Sequence, residues 1–196
     1  MLEDSSTGAP MAEGKRPVMV EDQAYVAKII RPCRVAIFLN IWTSIFSAAF
    51  FAYVQPAGKT DVEIILYFTR LFSDLIGRPL ARCPRPWFCK NKEQIVKIAW
   101  ARISLMFVFF GYIAFPGLFP RSDIFIVVVV CVFSVLSGYL AVLSYEYAAA
   151  SLETKAGQSV CGTLMNSTFQ MACFTAVISS VMVSESGFID EPGEER

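Results

Sequence analysis

The sequence predicts an all-α polytopic membrane protein, a bundle of five transmembrane helices. Three observations carry that class. Of the 196 residues, 55% are hydrophobic and the mean hydropathy is +0.52. Only 17% are charged, against about 25% in soluble domains. Apolar runs near the ~20 residues needed to cross a bilayer recur five times along the chain. The expected organisation is a polar cytosolic leader over 1–34, a five-helix bundle over 35–183 and an acidic, non-cytosolic tail over 184–196. Formal charge is zero, so the total points to neither an acidic nor a basic partner. There is no histidine, which removes the commonest metal ligand and the usual general base. Neither a metal nor another cofactor is expected.

The leader is polar and lacks the charged start, apolar centre and small-residue cleavage site of a signal peptide. It reads as largely disordered, with helical promise only near Tyr25 to Ile30, and it ends in Lys28, Arg31 and Arg34. The first span, Val35 to Gln55, carries Asn40, Thr43, Ser44 and Ser47 at three- and four-residue spacing. Such a polar seam either hydrogen-bonds neighbouring helices or lines a pore, and packing is the commoner use.

The second span, Val62 to Leu80, holds Arg70, Asp74 and Arg78 four residues apart, a single slowly rotating stripe on a helix. At about 1.5 Å per residue, Asp74 lies roughly 18 Å along a core about 30 Å thick. A charge at that depth costs about 2.5–3.5 kcal/mol on insertion scales. The stripe should therefore face protein or a wet cavity, and it is the candidate lining of a pathway for a polar solute.

A basic stretch follows, from Arg82 to Arg102 with Arg85, Lys90, Lys92 and Lys97 between, broken by Pro84 and Pro86. Clusters of this kind beside spans set topology near anionic lipid and do not call for nucleic acid. Cys83 and Cys89 fall in the same loop at a spacing unlike a zinc site. The third span, Ile98 to Leu118, is aromatic (Phe107, Phe109, Phe110, Tyr112, Phe115), as a lipid-facing or packing surface would be.

The fourth span, Ile124 to Tyr147, opens apolar and turns small and polar at Ser134, Ser137, Gly138 and Tyr139, where another helix can approach closely. The fifth, Ala156 to Val183, is studded with Gly157, Ser159, Gly162, Thr163, Asn166, Ser167, Thr168 and Gln170 and is expected to be buried among helices. Basic residues mass before span one and between spans two and three. The positive-inside rule then gives a cytosolic amino terminus and an external or lumenal carboxyl terminus.

Three segments carry a family resemblance. Asp74, Gly77 and Arg78 are similar to the Asn-x-x-Asp-x-x-Gly-Arg pattern in the eighth helix of equilibrative nucleoside transporters, with Leu71 at the asparagine. Ser137-Gly138-Tyr139-Leu140 resembles the Asn-Gly-Tyr-Leu of the tenth helix. Glu153-Thr154-Lys155-Ala156-Gly157 resembles the start of the eleventh. Two departures stand out: Phe46-Ser47 occupies the place of a Phe-Pro step, and Arg70 is foreign to the matched helix.

The resemblance implies a fold related to the major facilitator class, with this chain covering helices seven to eleven. It implies facilitated transport of nucleosides or nucleobases by alternating access at the plasma membrane, together with a complementary amino-terminal helix bundle. It places Asp74 and Arg78 on the sugar hydroxyls or the polar base edge, a role suited to a carboxylate acceptor and a planar guanidinium donor. Tyr67, seven residues before Asp74, would stack on the base. Arg70 reads first as a partner of Asp74 and second as a ligand in its own right. A structural Asp74–Arg78 ion pair, or Arg78 snorkelling to the interface, is the rival reading of those residues. The rival function is a non-transporting membrane scaffold or subunit derived from half a transporter. An enzyme is disfavoured, because Asp74 stands without a second acid, a histidine or a metal-ligand set.

Overall fold

The computed structural model describes residues 19–55, 61–83, 91–115, 119 and 122–186. The first eighteen residues, the acidic tail from 187 and the loop holding Pro84, Pro86 and Cys89 lie outside them. The described secondary structure is helical throughout: α1 (Met19–Ile29), α2 (Arg31–Ala48), α3 (Val62–Leu80), α4 (Lys92–Ala114), α5 (Asp123–Ala150) and α6 (Lys155–Glu185). A single 3₁₀ turn, Phe51–Tyr53, follows α2. Three of these helices, α4, α5 and α6, are long and apolar enough to cross a membrane, and the bent pair α1–α2 would make a fourth. α3 has a nearly sufficient length at 19 residues, but it carries Glu63, Arg70, Asp74 and Arg78.

The leader region is more ordered near the first span than the sequence suggested. α1 runs up to Ile29, and α2 starts at Arg31 rather than Val35. The two meet at a 69° bend. Pro32 sits in the first turn of α2, where its missing N–H is harmless. Val26 and Ile30 anchor the bend in a cluster with Cys33, Ile37, Ala148, Leu152, Cys161 and Met165.

α2 is the hub, packed against α4, α5 and α6. Its seam residues Asn40, Thr43, Ser44 and Ser47 are all buried. Asn40 Nδ2 donates to the Ser137 carbonyl at 3.1 Å, and Ser44 Oγ pairs with Ser137 Oγ at 2.8 Å. The seam therefore packs helices together, and through Ser44 it also borders a cavity. α3 lies along α5, and their crossing is made by glycines. A Cβ on Gly77 would run into the Val135 carbonyl, and one on Gly138 into the Asp74 carbonyl.

α4 begins six residues ahead of the predicted Ile98. Its buried stripe is Ile95, Ala99, Arg102, Met106, Phe109 and Tyr112, at three- and four-residue steps. The aromatic run divides accordingly, with Phe109 and Tyr112 in the core and Phe107 and Phe115 exposed. α6 overturns its expectation. Only its Cys161–Met165–Thr168–Ala172–Ala176 stripe is buried, while Gly162, Thr163, Asn166, Ser167 and Gln170 are open. The apolar stripe docks on α2, which turns the small, polar face away from this bundle.

Candidate functional site

A cavity of about 550 Å³ lies between α2, α3, α5 and α6. All four residues singled out from the second span line it: Tyr67, Arg70, Asp74 and Arg78. Ile41, Ser44 and Ile45 contribute from α2, Ser134 and Ser137 from α5, and Phe169 from α6. The volume falls in the range of small-molecule sites, roughly 300–1,000 Å³.

Asp74 is half-buried and paired with Arg78, one helical turn on. Arg78 Nε and Nη2 both donate to Asp74 Oδ2, at 3.0 and 2.8 Å. This corrects the expectation that Arg70 is the partner of Asp74. Four-residue spacing holds for both arginines, but the side chains of α3 lean toward its amino end, so Arg78 folds back onto Asp74. Both bonds end on Oδ2, and Oδ1 meets no donor among the described residues. Arg70 lines the cavity without a hydrogen bond or ion pair among the described residues. It still feels the Asp74 carboxylate electrostatically.

Tyr67 is braced rather than free. Its ring meets Phe51 edge-on at 5.2 Å between centroids, and its hydroxyl donates to the Ala48 carbonyl at 3.4 Å. The ring is thus fixed at one end of the cavity, an aromatic surface for a planar group. Across from α3, Ser134 is buried with its hydroxyl unpartnered.

Arg102 is the functional candidate that sequence reasoning missed. Counted with the basic loop, it stands instead midway along α4 at 0% exposure. Nη1 donates to the carbonyl and side-chain oxygens of Asn40, Nη2 to Ser44 Oγ at 3.0 Å, and Nε to the Phe133 carbonyl at 3.3 Å. The guanidinium also lies 4.1 Å above the Phe133 ring. Every one of these partners is neutral. Because Ser44 and Ser137 line the cavity and bond to one another, Arg102 stands directly behind the wall. Its place on the α4 stripe, in step with Ala99 and Met106, was the available signal.

The third resembling segment has a local structural reason. Thr154 caps α6, its hydroxyl accepting from the Gly157 N–H at 3.1 Å. The nucleoside transporter family model matches residues 9–184. The chain belongs to the nucleoside transporter family. It is accordingly a multi-pass membrane protein with a role in nucleoside transport, from a family of transporters and not of enzymes. Neither the curated proteins nor the solved structures give a match.

Within this family member, the motif segments of the second and fourth spans meet in space. Gly77 and Gly138 bring α3 and α5 into contact, and that contact sets Asp74 and Arg78 opposite Ser134 and Ser137.

Proposed function

We propose that this chain supplies the carboxyl-terminal helix bundle of a facilitative nucleoside or nucleobase transporter, with its solute held in the α2–α3–α5–α6 cavity. One observation carries the reading: Tyr67, Arg70, Asp74 and Arg78 converge on a single cavity in which Asp74 Oδ1 meets no donor among the described residues. Asp74 accepts from sugar hydroxyls, Arg78 holds that carboxylate in place, Tyr67 offers a stacking face, and Arg70 meets the base edge. Five spans are proposed, with α1–α2 as one and α3 as another. α3 is tolerated in the bilayer because Arg70, Asp74 and Arg78 line the cavity and Glu63 lies in the first turn, at the helix end. The amino terminus is placed in the cytosol and the carboxyl terminus outside, most simply at the plasma membrane.

Alternating access needs a second bundle rocking against this one. The open polar face of α6 and the exposed side chains of α3 outside the cavity lining (Phe72 and Leu75) support such a neighbour. Uptake of radiolabelled uridine or adenosine in transporter-deficient cells tests the proposal. Uptake above the empty-vector level that disappears in Asp74→Ala is expected, and uptake untouched by Asp74→Ala removes that residue from the site. The closed Asp74–Arg78 pair favours a second reading, a non-transporting scaffold, which predicts correctly inserted protein with no uptake at all.

A further inference from the structure

Three guanidinium groups surround the cavity, and their satisfaction differs. Arg78 is neutralised by Asp74. Arg102 is hydrogen-bonded on every side but has no acid against it. Arg70 makes neither an ion pair nor a hydrogen bond among the described residues, although it lines the cavity near the middle of α3 within the field of Asp74. Asp74 is the sole carboxylate among the described lining residues. The cavity and its wall therefore hold an excess of positive charge in a low-dielectric setting, where such an excess is felt strongly.

The uncharged donors point the same way. Arg102 donates into Ser44 Oγ, which polarises that hydroxyl and favours onward donation to Ser137. The Ser137 hydrogen is then left for the cavity, beside the unpartnered hydroxyl of Ser134. Against these donors the described lining offers one free carboxylate oxygen, suited to the sugar.

From this imbalance we infer that the cavity selects nucleosides or nucleobases whose base carries a negative charge, an ionised imide or a carboxylate, with Arg70 as the residue that recognises it. The inference rests on the nucleoside reading above and sharpens it to a substrate class. A guanidinium offers a planar fork that meets two acceptor atoms of such a base edge in parallel. Charge-assisted hydrogen bonds of this kind are worth about tenfold or more in affinity over a neutral base of the same shape.

The experiment is equilibrium binding to the full-length protein in lipid nanodiscs at neutral pH, with two matched pairs. Xanthosine, whose base is largely ionised there, is compared with neutral inosine, and orotate with uracil. The expected result is about tenfold tighter binding of the charged member in each pair. Arg70→Leu should abolish that preference, the charged member of each pair losing about tenfold more affinity than the neutral one, with thermal unfolding of the variant checking its fold. Equal affinities in the wild type, or a preference that survives Arg70→Leu, overturn the inference while inosine binding upholds the nucleoside reading. Failure of all four ligands to bind the folded wild type overturns both. Should Arg70→Leu prove unstable, Arg70→Gln carries the same comparison, and the wild-type pairs decide independently of either variant.

Discussion

Gly77 of α3 and Gly138 of α5 meet at the helix crossing with no room for a side chain on either. A Cβ on Gly138 would collide with the Asp74 carbonyl and come within 3.1 Å of the Arg78 nitrogen. The glycine of one motif thus rests on the backbone that carries the charged pair of the other. Gly138→Ala and Gly77→Ala should each destabilise the bundle by about 1–3 kcal/mol, since neither backbone can yield as a flexible side chain would. Gly162→Ala is the control, because nothing lies within 4 Å of its Cβ position; it should be neutral or slightly stabilising. Thermal unfolding of the three variants in detergent checks the contrast.

Arg102 and Asn40 should behave as one unit. Removing either leaves the other buried and short of a partner, a cost of about 1–3 kcal/mol for a neutral group and more for the charge. Arg102→Met, Asn40→Ala and the double variant form a cycle whose coupling should be about 1–3 kcal/mol. Additive losses would show that the Asn40–Arg102 contact contributes no mutual stabilisation.

At the start of α6, Thr154→Ala removes the hydroxyl that accepts from Gly157. The expected loss is about 1 kcal/mol, with Thr154→Ser recovering most of it. Equal stability of all three forms would mean that the cap contributes nothing in the bilayer.

Much of the architecture was legible in the residues. α3 runs from Val62 to Leu80 as its apolar run and flanking turn indicate, and the small residues of the fourth span do mark a close helix approach. The cavity was legible only in part. Tyr67, Arg70, Asp74 and Arg78 share it because helical spacing puts them on adjoining faces of one helix. Arg102 was hidden by its neighbours in sequence: with the span begun at Ile98, it sat close enough to the end to snorkel, and the basic loop accounted for it. Carrying the burial pattern back to Ile95, in step with Ala99 and Arg102, reassigns it to the core. Pairing was illegible for a similar reason. Arg70 and Arg78 are equidistant from Asp74 in sequence, and side-chain lean, not spacing, decides between them. α6 misled because small and polar residues mark a face for helix contact without saying which helices supply it.

Loss of the Asp74 carboxylate should weaken nucleoside affinity by about ten- to a hundredfold, the worth of hydrogen bonds to a charged group. Arg78→Lys keeps a cation near Asp74 but gives up the paired Nε and Nη2 donors, so its affinity should fall between those of the wild type and Asp74→Ala. Titration of the purified full-length variants with labelled uridine and adenosine gives both values. An Arg78→Lys variant weaker than Asp74→Ala would contradict the supporting role assigned to Arg78.

The central claim, that solute occupies the cavity beside Asp74, is tested most directly by solute protection of a cysteine placed in its wall. Leu71→Cys lines the cavity, whereas Ile76→Cys is exposed on α3 away from it. In full-length protein, saturating uridine or adenosine should slow thiol labelling at position 71 and leave position 76 unchanged. Equal labelling rates at position 71 with and without nucleoside would contradict the account.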